Sequence, residues 1–271
     1  MQEILRVQKL GKNHGSYHGE TIDIRSVLLA VRDTARQHHW KIETFHEADG
    51  LPFLGLHRPA ESGGSPAGAK FYISAGIHGD EPAGPLAALK LVQENQWPKD
   101  AEIFLVPCLN PVGFTLNRRE NSDGLDLNRD YRQPKSAEAR AHLAWLERLP
   151  EVNLYFCLHE DWESHGFYLY EQNPDRRRSL AETIIEAVKP VCPVDMSETI
   201  EGRAAKGGII RPIFQPHERP DWPEAFYLIT HKSRQGYTLE APSDFPLPVR
   251  VNALVTAVRV AMGLRGTDAD K

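Results

Sequence analysis

The stretch Phe71-Tyr72-Ile73-Ser74-Ala75-Gly76-Ile77-His78-Gly79-Asp80-Glu81-Pro82 passes from an apolar run directly into an imidazole and a carboxylate three residues apart. The run over Phe71–Ile77 has the length and content of a buried strand. Pro82, at the head of a helical pattern over Ala83–Glu94, marks a helix start. His78 and Glu81 therefore stand in a strand-to-helix turn at the carboxyl end of a strand, where open α/β sheets meet their ligands. Both are metal-ligand types. Taken alone the pair also fits a plain helix start, because a glutamate is favoured at the positive end of a helix dipole.

On the N-terminal side of this turn, Ile24, Val27, Leu28 and Val31 recur at helical spacing within 22–37, and candidate strands follow at Lys41–Phe45 and Phe53–His57. The low-complexity patch Glu61–Gly68 reads as a surface loop between two strands. On the C-terminal side, Glu102–Cys108, Val152–Leu158 and Gly236–Glu240 are strand-like, while Ala137–Leu149, Leu180–Val188 and Val249–Met262 are helical. Asn110 to Arg129 reads as one long polar loop. Strands separated by helices predict an α/β fold, a mixed or parallel sheet covered on both faces. The expectation is a single domain over 1–271, with residues 1–60 supplying a helix and strands of that same domain.

Composition narrows the function. The chain has 271 residues, 41% hydrophobic and 25% charged, with a formal charge of −5, which suits a protein with a real core. Its Lys and Arg are scattered, so no electrostatic case for a nucleic-acid partner exists. No apolar run approaches the ~18 residues of a membrane span, and the start Met1–Arg6 lacks the layout of a secretory signal. Cys108, Cys157 and Cys192 form no Cys-x-x-Cys pair and suit reduced core thiols in a cytoplasmic protein. There is no Gly-x-Ser-x-Gly elbow and no dinucleotide fingerprint. Oligomeric state leaves no trace.

Three further features bear on chemistry. His159 closes the run Val152–Leu158, so it too stands at a strand end, and two His with one Glu make the three-ligand set of a hydrolytic zinc site. Asn128 and Arg129 close the polar loop; a guanidinium binds a carboxylate bidentately and a neighbouring amide adds a hydrogen bond. Glu240 ends the strand-like Tyr237–Glu240 ahead of Ala241-Pro242, where a carboxylate beside an activated water could take its proton. Each has a plainer reading as well: a solvated loop for the first pair, a surface acid for Glu240.

The order His-x-x-Glu, Asn-Pro-x-Gly, Arg-x-Asn-x-x-Gly-x-Asp-Leu-Asn-Arg, Leu-His and Thr-x-Glu-x-Pro resembles the zinc metallocarboxypeptidase family, and its spacing is closest to the short bacterial branch that includes murein peptide amidases. The resemblance runs from about Phe71 to Val260. It implies one zinc ion on His78, Glu81 and His159, with Glu240 as general acid/base. Arg119 takes the position of the family's carbonyl-polarising arginine, with Arg118 as the weaker substitute. Asn128 and Arg129 hold the free carboxylate of a terminal residue. The implied fold is a single α/β domain with a mixed, twisted, roughly eight-stranded sheet between helices. The implied reaction is hydrolysis of the amide before that residue, in a small peptide or acylated amino acid.

The chain also departs from that pattern. Asp130 follows Arg129 where the family often has Asn, placing an extra negative charge beside the clamp. No Tyr lies between Tyr170 and Tyr227, so the family's mobile Tyr has no counterpart there. Glu160, Asp161 and Glu163 either face a positively charged substrate group or are solvated. The terminal side chain's pocket is expected from the Gly202–Tyr227 region, where Arg203, Lys206 and Arg211 point instead to an acidic substrate. The rival assignment is an N-acyl-amino-acid deacylase of the succinylglutamate desuccinylase and aspartoacylase type, which shares the metal set, the Asp-x-Asn-Arg element and a Glu base. A binding module that has lost catalysis is the remaining class.

Overall fold

A computed structural model describes residues 9–11, 20–61 and 68–264. Most of the low-complexity patch and the start Met1–Arg6 lie outside the described residues. Among the described residues ten strands form one mixed sheet, in the order β1-β2-β4-β3-β5-β10-β6-β9-β8-β7. They are β1 (Lys41–Ala48), β2 (Leu51–Arg58), β3 (Lys70–Ala75), β4 (Glu102–Val106), β5 (Leu154–Asp161), β6 (Tyr168–Gln172), β7 (Thr199–Ile200), β8 (Arg203–Lys206), β9 (Ile209–Ile210) and β10 (Gly236–Pro242). The helices are α1 (Ile24–Gln37), α2 (Ala83–Glu94), α3 (Pro111–Leu116), α4 (Ala137–Arg148), α5 (Ala181–Val188), α6 (Glu224–His231) and α7 (Leu247–Ala261).

The architecture follows from which faces are apolar. β5 is buried at every position, as a strand covered on both sides must be, whereas β1 at the sheet edge is largely exposed. One layer packs α1, α2, α5 and α7 on the sheet through Val31, Leu91, Ile184 and Leu254. The opposite face is covered by α4 and α6 through Trp145, Leu146, Phe226 and Ile229. No helix among the described residues is long and apolar enough to cross a membrane. All three cysteines are buried free thiols.

The central strands β4, β3, β5 and β10 are mutually parallel, so their carboxyl ends share one edge. From β3 the chain passes through α2 to β4 on one side, then returns through α4 to β5 on the other. That reversal is a topological switch point, the place where a crevice opens outside the strand ends. Gly76, just beyond β3, has φ +60°, and a Cβ there would lie 2.9 Å from Pro85. A left-handed turn in tight quarters thus delivers the chain to His78.

The strand count exceeds the expected eight because β7, β8 and β9 form a small ribbon at the sheet's edge, in segments of two to four residues too short to show a periodicity. β6 and α6 also went unread. The expected polar loop after β4 is partly helical: Asn110 caps α3 by accepting from the Gly113 amide at 2.9 Å, and Pro111 occupies the first turn. Asn-Pro here is a helix-start signal, cap then N1 proline.

Candidate metal centre and cleft

His78 and Glu81 leave the end of β3, and His159 lies on β5 beside it, with β5 and β3 paired up to Leu158 and Ala75. One donor atom from each of His78, Glu81 and His159 lies within 4.8 Å of the other two. Nδ1 of His78 is 2.5 Å from Glu81 Oε1, and Nδ1 of His159 is 3.0 Å from Glu81 Oε2. All three side chains are buried, at 2%, 6% and 4% exposure. Three buried donors aimed at one point is costly unless a cation satisfies them.

The second nitrogen of His78, Nε2, is 3.3 Å from Asp126 Oδ1, so the ring is oriented with Nδ1 toward Glu81. An imidazole held by a carboxylate on its far nitrogen is the usual arrangement around a bound metal. Burial opposes the His78 imidazolium, but Glu81 and Asp126 more than offset it and raise its pKa. Burial likewise opposes the Glu81 anion, yet the two imidazoles hold its carboxyl well below the usual range. Burial dominates at His159 and lowers its pKa, keeping it a neutral lone-pair donor. The donor set therefore fits a divalent metal of zinc type: two imidazoles and an ionised carboxylate.

Glu240 on β10 is the register partner of His159. Burial, followed by the charges of Glu81, Glu201 and Asp161, raises its carboxyl well above the ordinary value. Arg119 approaches from the loop after α3; its Nη1 is 3.8 Å from Glu81 Oε1 and its Nε donates to Asp126 Oδ2 at 3.0 Å. Arg118 instead turns back to the Asn121 carbonyl. The Asn128 side-chain oxygen accepts from the Glu224 amide at 2.9 Å, which leaves its NH2 as the free donor. Arg129, exposed beside it, donates to the Asn128 carbonyl at 2.7 Å. His78, Glu81, His159, Glu240, Arg119, Asn128 and Arg129 all line one cleft of about 970 Å³.

Other residues fall out differently. Asp130 does not face the clamp: its carboxylate accepts from the Lys135 and Ser136 amides and the Ser136 hydroxyl, and so builds the start of α4. Glu160 is buried on Arg250, and Asp161 accepts from the Tyr168 hydroxyl at 3.0 Å and the Glu163 amide at 2.8 Å. Arg203 lines the cleft, but Arg211 pairs with Glu171 and Glu182 away from it. Tyr170 lines the cleft with its hydroxyl on Glu201.

Sequence reasoning missed two acids. Asp126, which orients both His78 and Arg119, was visible in the Asp-x-Asn-Arg element but passed over. Glu224 opens α6 beneath the cleft and accepts from Tyr72 at 2.7 Å and Ser74 at 2.8 Å. Tyr72 continues to His142, which bonds Tyr131 in turn. No local pattern announces that network.

Fold and site together define a carboxypeptidase-like α/β protein built around a His-Glu-His group. The succinylglutamate desuccinylase/aspartoacylase catalytic domain matches residues 67–207. The chain belongs to that family, the one held as rival from the sequence. A candidate metallopeptidase from Shewanella amazonensis SB2B superposes with a TM-score of 0.75 at 22% identity, covering 88% of this chain and 91% of that one. A metallo-carboxypeptidase from Pseudomonas aeruginosa, in complex with (2-guanidinoethylmercapto)succinic acid, gives a TM-score of 0.61 at 20% identity, over 88% of this chain and 69% of that one. At such identities the likeness speaks to fold. In sequence, the chain is 32% identical over 113 residues to carboxypeptidase SOL1 of Arabidopsis thaliana, a match that takes in 33% of this chain and 22% of that protein. The chain thus spans about a fifth of the curated relative's length.

Proposed function

We propose that the protein is a zinc-dependent hydrolase cleaving the amide bond just before a terminal residue that bears a free carboxylate. The convergence of His78, Glu81 and His159 beside Glu240 and Arg119 carries this reading. His78, Glu81 and His159 would hold one ion, and zinc bound there supplies Lewis-acid polarisation of a carbonyl and acidifies water at neutral pH. Glu240 accepts the proton of the attacking water and passes it to the leaving nitrogen, the role of a carboxylate placed beside an activated water. Arg119 donates to the carbonyl oxygen as negative charge develops on it, a contribution of roughly 3 kcal/mol for one such donor. Asn128 and Arg129 hold the substrate carboxylate and so fix which amide lies over the site. The whole of 1–271 would act as one catalytic domain.

Glu240→Gln is expected to lower turnover by at least about 10²-fold with zinc content unchanged by elemental analysis. Undiminished turnover would remove Glu240 from this role. A chelator should abolish hydrolysis and added zinc restore it.

The family match over 67–207 favours a second reading, removal of an acyl group from an acylated amino acid. Both use the same clamp and the same base. Rates on short peptides with free C-termini against rates on N-acyl amino acids, at matched concentration, separate the two. The compound named in complex with the Pseudomonas metallo-carboxypeptidase is a succinic acid derivative, which agrees with either carboxylate-bearing substrate.

A further inference from the structure

We infer that Glu160 is a positioning residue, which with Arg250 clasps together the three chain segments bearing the proposed metal ligands and base; this rests on the metal reading above. Glu160 directly follows His159 on β5 and is 5% exposed. Its Oε1 accepts the amide of Ala83 at 2.5 Å, at the first residue of α2 and two past Glu81. Its Oε2 accepts from the Ser243 hydroxyl at 3.1 Å, three residues past Glu240, and from Arg250 Nη1. Its backbone amide donates to Glu81 Oε2 at 3.2 Å. One side chain therefore touches each segment whose placement sets the centre.

Glu160 borders the cleft, but both its oxygens are already taken by Ala83, Ser243 and Arg250, so this acid is committed to the protein rather than to a substrate cation. An isolated buried carboxylate would be costly, and Arg250 answers it. That guanidinium is fully buried on α7 and also pairs with Glu20, tying the segment before α1 to the same point. The positive end of α2 adds to the attraction. Buried pairs of this kind seldom add net stability over an apolar pair, so geometry is the reason to have one here. The bonds hold α2, β5 and the turn after β10 in mutual register, and Glu81, His159 and Glu240 ride on them.

The test compares wild type, Ser243→Ala, Glu160→Gln and the double variant Glu160→Gln/Arg250→Met. The double variant removes both charges of the Glu160–Arg250 pair, and Glu20, the other partner of Arg250, is partly exposed and can turn to solvent, so the double variant serves where the single one does not fold. Zinc affinity is measured by chelator competition, and the visible spectrum of the cobalt-substituted protein reports ligand geometry. The expected result is zinc affinity 10–100-fold weaker in the double variant, an altered cobalt spectrum, and kcat lowered more than KM is raised. Ser243→Ala should move each readout in the same direction by less. Wild-type zinc affinity and cobalt spectrum in the folded double variant overturn the clasp, whatever its melting temperature. Absence of zinc binding in the wild type refutes the metal reading instead.

Discussion

Asp126 shows how much a single carboxylate can organise. It receives Arg119 on one oxygen, His78 on the other, and the Asn128 amide at 2.9 Å. Asp126→Ala frees the His78 ring and the Arg119 fork together. Zinc affinity should drop about 10–100-fold, with a larger loss in kcat/KM because Arg119 is displaced as well. Equal losses in the two quantities would separate Arg119 from the reaction. Glu224 makes a different prediction. Burial, against the hydrogen bonds of Tyr72, Ser74 and Cys157, pushes its carboxyl up to about 7 from an ordinary 4.5. The folded protein keeps a proton that the unfolded chain has already lost. This stabilisation is complete below about pH 4.5 and drains away as pH rises to about 7. The loss is roughly 3 kcal/mol at most. Glu224→Gln should flatten urea-unfolding stability between pH 5 and 8; an unchanged pH slope contradicts this account of Glu224. Types of residue at strand ends were readable beforehand, but Tyr72 and Ser74, which donate to Glu224, lie some 150 positions away in sequence and carry no local signal.

At the scale of elements, the turn between β3 and α2 is pressed against α3. A Cβ on Gly79 would lie 2.0 Å from the Gly113 carbonyl carbon, a backbone atom that cannot swing aside. Both glycines belong to motifs recognised from the sequence, His-Gly-Asp-Glu and Asn-Pro-Val-Gly, yet nothing local says that they meet. Gly79→Ala should cost about 1–3 kcal/mol by overpacking and weaken zinc binding with it, since His78 and Glu81 flank the position. Unfolding midpoint and zinc affinity measured on the same preparation check both effects. An affinity that survives the stability loss would show the turn adjusts without moving its ligands. Elements with a strong period were legible: α2 spans Ala83–Glu94 as its apolar spacing predicts. The ribbon β7–β9 was not, because strands of two to four residues carry no period and exist only through pairing, β7 with β8, β8 with β9 and β9 with β6.

For the molecule as a whole, the proposed ion joins β3 and β5 across the switch point of the sheet. Binding that favours the folded state adds stability by mass action, about 2.7 kcal/mol at one hundred times Kd. Thermal unfolding should therefore shift upward with zinc and downward with chelator, in one cooperative transition if 1–271 is a single domain. No shift with zinc would argue against a preformed site. His78→Ala should lose the shift while retaining the transition.

What the sequence determined by itself was the alternation of buried strands with amphipathic helices, and the kinds of side chain that stand at strand ends. Both are written in neighbouring residues, through periodicity and turn chemistry. The tertiary structure decided the strand order that turns separate ends into one crevice. It also drew Glu160 inward onto Arg250, turned Asp130 away from the clamp and set Asp126 between His78 and Arg119. These are contacts between distant positions, and their energies depend on burial and mutual distance, which exist only once the sheet has closed its layers around them.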